Sequence, residues 1–340
     1  MLQKYKLILN VVVMKNIIVF CLLSMMSIFT CYSQLDSRVS KLEQMYWEQG
    51  AFLEMNTLAE SLSTYMELAE NPLNECVIDI YKCLSETHLS LCSDKTVNCL
   101  QNAQQSVSEI VGPNSRYAGI ALMAQCKYYT GRNSALAVEV GNKALEILEK
   151  ECPDKVELAF AKSIVGYAYL FSGDGVKSEQ LLTSSIELFK KIGCDDTWLA
   201  SLSYANRSGA YIALRNGDAA ITDIGKSIEY FNDKELDAVL FQHLVVTSGM
   251  AVYVYTACGL YDDAIAIGQT FLENCQVLNM TYIVEYGNTL QNMGAAYLLK
   301  KDQKTGLEYL EKAKAHYDEY GYTNTDSYQM LIRNLNQLKQ

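Results

Sequence analysis

The sequence has little proline and a deficit of positive charge. Only 3 of its 340 residues are proline, so few positions interrupt a helix, and half of the residues are apolar, enough for a large core. Lys and Arg total 28 against 39 Asp and Glu, which gives a net charge of −11. A surface of this charge repels phosphate backbones, and nucleic acid is therefore not an expected partner.

Histidine is also scarce, and the familiar catalytic motifs are missing. The 3 histidines are accompanied by no HExxH, GxSxG, P-loop or dinucleotide-binding motif. His88 and Cys92 are one helical turn apart, a spacing that suits a thiol and its base, but no residue is evident to orient the histidine. We therefore predict no enzyme, no catalytic residue and no cofactor.

Four of the 11 cysteines cluster around His88, namely Cys76, Cys83, Cys92 and Cys99. They contain no CxxC pair, so the sequence predicts no metal site. Cys83 and Cys99 lie symmetrically about a predicted turn and could face each other across a helix hairpin. A disulfide needs Cα atoms within about 7 Å, whereas packed helices lie about 8–10 Å apart, which leaves both a bridge and free thiols open.

The first 33 residues have the layout of a secretory signal peptide: lysine, then an apolar run from Ile17 to Phe29, then small and polar residues. We predict cleavage before Gln34 and export to the periplasm or the medium, with Met14 as an alternative start. A lipid anchor on Cys31 and an uncleaved membrane anchor are the alternatives. No later stretch is expected to be long and apolar enough to span a membrane.

Residues 34–340 are predicted to form one helical repeat domain. Three residue types recur at intervals of about 42 residues: tyrosine, a turn glycine just after it, and the prolines between. The series are Tyr128, Tyr169, Tyr211, Tyr255 and Tyr297; Gly131, Gly173, Gly217 and Gly259; and Pro72, Pro113 and Pro153.

Each period contains two apolar stretches at helical spacing, which predicts seven helix hairpins and a C-terminal capping helix. The first two hairpins are predicted at residues 35–68, turning at Gly50, and at residues 73–111, turning near Ser93. The capping helix follows Thr325 or Asp326 and has an apolar stripe that includes Leu331 and Leu335.

The repeat resembles the tetratricopeptide repeat, or TPR. Val165-Gly166-x2-Tyr169 followed by Ser178-x3-Leu182-x2-Ser185 has the order of that signature, and Met293-Gly294-x2-Tyr297 begins a second match. The usual TPR period is about 34 residues, so these units are longer, as in kinesin light chains and the helical arms of some bacterial signalling proteins. The resemblance implies an all-α, right-handed α-solenoid that binds a protein or peptide in its concave groove.

In TPR proteins the groove is lined by residues of the first helix of each hairpin. By helical phase, the candidates here are Tyr81, His88, Phe160, Tyr167, Asn206, Tyr253, Asn288 and Asn292. These residues offer aromatic and carboxamide groups and almost no positive charge. The tyrosines among them could equally serve only to shield neighbouring helices.

We expect a non-enzymatic, exported scaffold that acts as an adaptor for a protein or peptide. The alternative is the sensing arm of a signalling system, whose kinase or caspase-like effector would be a separate chain.

Overall fold

The computed structural model describes residues 35–88, 94–232, 234 and 238–338. These residues form fifteen α-helices and no β-strand. The helices pair into seven hairpins followed by a single helix, and each helix packs against the next along the chain. The predicted all-α solenoid of TPR-like hairpins is confirmed. The predicted signal peptide, Cys31, Cys92 and the turn near Ser93 lie outside the described residues.

The helices have the following bounds. The first hairpin contains α1 (Ser37–Gln44), a π-helical turn (Met45–Gln49) and α2 (Phe52–Leu62). The next three pair α3 (Pro72–His88) with α4 (Asp94–Ile110), α5 (Arg116–Tyr129) with α6 (Ser134–Glu151), and α7 (Val156–Phe171) with α8 (Gly175–Lys191). The last three pair α9 (Trp198–Ala213) with α10 (Gly217–Glu229), α11 (Ala238–Ala257) with α12 (Tyr261–Val277), and α13 (Val284–Leu299) with α14 (Gln303–Tyr320), before α15 (Asp326–Leu338).

Short polar side chains begin the second helix of four hairpins. Asn133, Asp174, Asn216 and Asp302 each accept a hydrogen bond from a backbone N–H in the first turn of the helix that follows. Such a cap satisfies a donor that the helix itself cannot pair. The repeated caps fix where each hairpin turns.

A residue one or two positions before the N-cap takes a left-handed conformation in most turns. Gly131, Gly173 and Gly259 have φ values of +76°, +87° and +82°, as their predicted role requires. Gly217 does not belong to this series, because it is the first residue of α10, and Arg215 takes the left-handed position instead with φ +59°. The prediction that Gly217 is the turn residue is therefore wrong, and Arg215 has this role.

The glycine of the TPR-like signature allows the two helices of a hairpin to approach closely. A Cβ at Gly166 would lie 2.7 Å from Leu182 Cγ and 3.3 Å from the backbone oxygen of Ser178. Gly294 has the same relation to Leu310, with a Cβ distance of 2.8 Å. A larger side chain at either position would force the helices apart.

The terminal helix α15 packs on α14 through Leu331 and Leu335, which are 0% and 3% exposed. Its first backbone N–H, at Asp326, donates to the backbone oxygen of Gly131 at 3.1 Å. Gly131 lies in the turn of the third hairpin, so the solenoid curves far enough for its last helix to touch that hairpin.

We expect Gly166→Ala to lower the free energy of unfolding by about 1–2 kcal/mol. Overpacking against Leu182 costs about 1–3 kcal/mol, which the better helix propensity of alanine offsets by up to about 1 kcal/mol. Gly225→Ala is the matched control, because a Cβ there meets no atom within 4 Å. The control should be neutral or stabilising in thermal or chemical denaturation, and equal melting shifts for both variants would contradict the packing role.

Candidate functional site

The turn of the first hairpin lies against the inner surface of the solenoid. We call residues 45–52 the inserted turn. The Tyr46 ring lies 6.2 Å from Phe160 on α7 and 6.2 Å from Trp198 on α9, and the Phe52 ring lies 5.2 Å from Trp198 (centroid distances). The first hairpin therefore contacts first helices well beyond its neighbour in the chain.

Two histidines on the inner surface hold this turn. His88 on α3 stacks on Phe52, with centroids 4.1 Å apart and an interplanar angle of 12°, and its Nε2 lies 3.0 Å from the Tyr46 hydroxyl. His243 Nε2 on α11 lies 3.0 Å from the backbone oxygen of Gly50. Burial lowers the pKa of His88 well below its ordinary value, and the nearby Lys127 and His243 lower it further. His88 is therefore neutral while the turn is in place.

A partly buried polar network anchors α1 beside the inserted turn. Arg116 on α5 pairs with Glu43 on α1 at 2.9 Å and with Glu157 on α7 at 2.6 Å. The Trp47 indole N–H donates to the Tyr81 hydroxyl at 2.9 Å, and that hydroxyl donates to Glu43 at 3.2 Å. This network connects the first hairpin to three other first helices.

Three of the eight predicted groove residues are covered by the first hairpin. Tyr81 and Phe160 are both 0% exposed, and His88 contacts the rings of Tyr46 and Phe52. They do lie on the inner surface, but in this structure their contacts are with this chain's own residues.

The other five line a cavity of about 880 Å³ next to the inserted turn. These residues are Tyr167, Asn206, Tyr253, Asn288 and Asn292. They come from α7, α9, α11 and α13, and α15 closes the opposite side with Met330 and Arg333. The structure thus brings together five positions that are far apart in the sequence.

The cavity wall is rich in groups that can exchange hydrogen bonds with a neutral ligand. Asn206 is 1% exposed, and its Oδ1 has no hydrogen-bond partner among the described residues. The Tyr317 hydroxyl donates to Asn288 Oδ1 at 2.7 Å, so the amide NH2 of Asn288 remains as a donor. Burial raises the pKa of Tyr167, with further contributions from Glu285 and Tyr253, so its hydroxyl stays protonated.

Several residues of the wall were not predicted from the sequence, among them Phe171, Met250 and Gly249. Gly249 is the most informative, because it lies inside α11 and a Cβ there would meet no atom within 4 Å. Glycine inside a helix costs about 0.5–1 kcal/mol relative to alanine, and packing does not require it here. Gly249 does not follow the repeat period, and this was the signal in the sequence that could have indicated its place in the cavity wall.

The cysteine cluster contains neither a disulfide nor a metal site among the described residues. The described cysteines are free thiols, and the described residues contain no group of three or more His, Cys, Asp or Glu side chains suited to a metal ion. A hydrogen bond with Cys99, followed by burial, raises the pKa of the Cys83 thiol. Of the two open alternatives, the structure shows the free-thiol form, with the two thiols facing each other across α3 and α4.

Helix α11 corrects one expectation from the sequence. Residues 239–257 are long and apolar enough to cross a membrane by length and composition alone. Half of the apolar window is buried inside the protein, where α11 packs against α9, α10, α12 and α13. Its apolar character is thus used in the core of the solenoid.

No protein-family model matches the chain, and no curated protein matches it in sequence. Among solved structures, BtubC (BKLC) from P. vanneervenii is similar with 14% identity and a TM-score of 0.47, over 71% of this chain and 92% of that one. A Podosopora anserina protein described as a kinesin light chain with nearly identical TPR-like repeats has 13% identity and a TM-score of 0.45, over 59% and 95%.

A signal transduction ATPase with a tetratricopeptide repeat sensor, from Pyrococcus horikoshii, has 18% identity and a TM-score of 0.47, over 88% of this chain and 43% of that one. At these values the similarities bear on neither the partner nor the activity of this chain. The TPR-like fold is shown by the hairpin contacts described above.

We expect alanine substitutions at two tyrosines of the cavity to differ in their effect on the free energy of unfolding. Tyr167→Ala should lower the free energy of unfolding by about 2 kcal/mol, because the half-buried ring packs edge-on against Phe171 at 5.0 Å. Tyr253→Ala should lower it by less than about 1 kcal/mol, because this side chain is 40% exposed. Thermal denaturation of both variants tests this order, and a larger loss for Tyr253→Ala would contradict it.

Proposed function

We propose that this protein is a non-enzymatic scaffold that binds a peptide or protein segment in the cavity of its concave surface and acts as an adaptor. The observation that carries the proposal is the cavity itself, where four first helices bring aromatic and carboxamide side chains together. Carboxamides can donate to and accept from a peptide backbone at once, and aromatic rings cover apolar side chains.

The charges of the cavity wall favour a bound peptide segment that has no strong net charge. The wall contains Lys127, Arg132 and Arg333 together with Glu285 and Asp326, so the two signs nearly balance. Arg132 already donates to the Tyr128 backbone oxygen and lies over the Tyr128 ring. A strongly acidic or basic ligand would find little charge complementarity here.

Apolar burial should contribute more affinity than ion pairs. Exposed ion pairs contribute about 0–1 kcal/mol, whereas covering roughly 100 Å² of Tyr253 contributes about 2.5 kcal/mol as an upper value. Gly249 adds to this, because the missing side chain lets a ligand approach the backbone of α11.

The second candidate function is the sensing arm of a signalling system whose kinase or caspase-like effector is a separate chain. The inserted turn favours it, because a groove that is partly filled by its own chain can exist in filled and open states. The identity of the bound partner distinguishes the two: an envelope structural protein favours the adaptor, and a kinase or protease favours the sensor.

Filling the cavity should abolish partner binding. We expect Gly249→Phe to place a ring in the cavity, with Gly225→Phe as the matched control on α10, since neither position has an atom within 4 Å of an added Cβ. The three proteins would be immobilised and exposed to an envelope fraction. A partner retained by wild type and by Gly225→Phe, but weakened at least tenfold with Gly249→Phe, supports the cavity. An identical set of proteins on all three would contradict it.

Export is part of the proposal and rests on the first 33 residues alone. Mass spectrometry of the native protein should find an N-terminus at Gln34. A diacylglyceryl adduct on Cys31 would favour the lipid-anchored alternative, and an intact Met1 or Met14 on protein from the cytoplasmic fraction would contradict export.

A further inference from the structure

The inserted turn and the cavity share one continuous inner surface. On each of four helices, a residue that contacts the inserted turn lies within about one helical turn of a residue that lines the cavity. The pairs are His88 and Thr87 on α3, Phe160 and Ile164 on α7, Trp198 and Leu202 on α9, and His243 and Val246 on α11. The inserted turn therefore occupies one half of the groove and the cavity is the other half.

The contacts that hold the inserted turn are specific and local. Gly50 has φ +64°, and a Cβ there would lie 2.2 Å from His243 Nε2, so only glycine allows the backbone to reach this histidine. The Leu53 backbone N–H donates to Gln242 Oε1 at 3.3 Å. A backbone segment of this chain is thus bound by a histidine and a carboxamide of the groove, as a partner segment could be.

We propose that the inserted turn is a releasable occupant of the groove, held by neutral His88, and that mild acid releases it and extends the binding surface to Tyr81, His88 and Phe160. The proposal concerns the regulation of the groove and rests on the proposed function. It deepens that function because, once the inserted turn is released, the surface that it covered becomes continuous with the open cavity.

The charged groups that act on His88 oppose its protonation, and the groups in direct contact with its ring are uncharged. The inserted turn presents the Tyr46 hydroxyl and the Phe52 ring, while α7 and α9 present Phe160 and Trp198. The charged or titratable groups acting on it from α5 and α11 are Lys127 and His243, and both oppose protonation.

The sign of the pH dependence follows from these contacts. Burial holds the pKa of His88 in the filled groove well below its ordinary value of about 6.5, to which it returns on release. The filled state is therefore fully favoured above about pH 6.5 and loses up to tenfold in population ratio for each pH unit below it. Between pH 6.5 and 5.0 the loss is up to about sixteenfold.

Hydrogen exchange of the full chain, without any ligand, measures this directly. Protection factors of peptides covering residues 45–62 should fall by up to about sixteenfold from pH 6.5 to 5.0, while peptides of α8 keep theirs. Both tryptophans, Trp47 and Trp198, lie at the contact, so their fluorescence should shift to longer wavelength as the turn leaves. Protection that is independent of pH, or that falls equally along the chain, overturns the proposal.

Two variants test the role of His88. His88→Phe retains a flat ring against Phe52 but cannot be protonated, so the fall in protection should disappear. Tyr46→Phe removes only the hydroxyl at 3.0 Å from His88, so it should lower protection at pH 7.5 and keep the pH dependence. An unchanged pH dependence in His88→Phe, or its loss in Tyr46→Phe, overturns the proposal. Since no partner is used, these results are independent of the Gly249→Phe experiment.

Discussion

In the fourth and seventh hairpins the two helices approach closely at a glycine, where only a small residue fits, and this contact constrains the geometry of the molecule. Gly166 against Leu182 and Gly294 against Leu310 leave no room for a Cβ. Every hairpin stacks on the next one. The small rotations between successive hairpins add up along the chain and give the solenoid its curvature. The curvature brings the N-terminus of α15 to the backbone oxygen of Gly131, and this limits the space inside.

That limited space explains why contacts extend beyond neighbouring repeats. In a solenoid each repeat usually contacts only the adjacent ones. Here Gly50 and His243, 193 positions apart, are within hydrogen-bond distance. The rings of Tyr46, Phe52 and Trp198 meet between hairpins that are not neighbours. The rings at the inserted turn thus belong to the same continuous apolar core as the residues between the stacked helices.

The local structure was predictable from the sequence, and the long-range contacts were not. Proline, turn glycines and helical periodicity predict seven hairpins because each of these signals determines the conformation of residues close to it in the sequence. Gly217 was misassigned for the same local reason: a left-handed Arg215 carries no signal in the sequence. Helical phase places Tyr167, Asn206 and Tyr253 on the inner surface. It cannot show that Tyr46 covers Phe160, because that depends on the rotation between successive hairpins.

The filled half of the groove contains large aromatic side chains. Phe160 and Trp198, which are 0% and 4% exposed beneath the inserted turn, would form an apolar patch if uncovered, and such patches favour association with other proteins. The wall of the cavity also contains Asn288 and Asn292, whose carboxamides can exchange hydrogen bonds with water while no ligand is bound. The inserted turn therefore covers rings that water would solvate poorly. A partner that enters the open half replaces water there, whereas one that extends into the other half must first displace Tyr46 and Phe52.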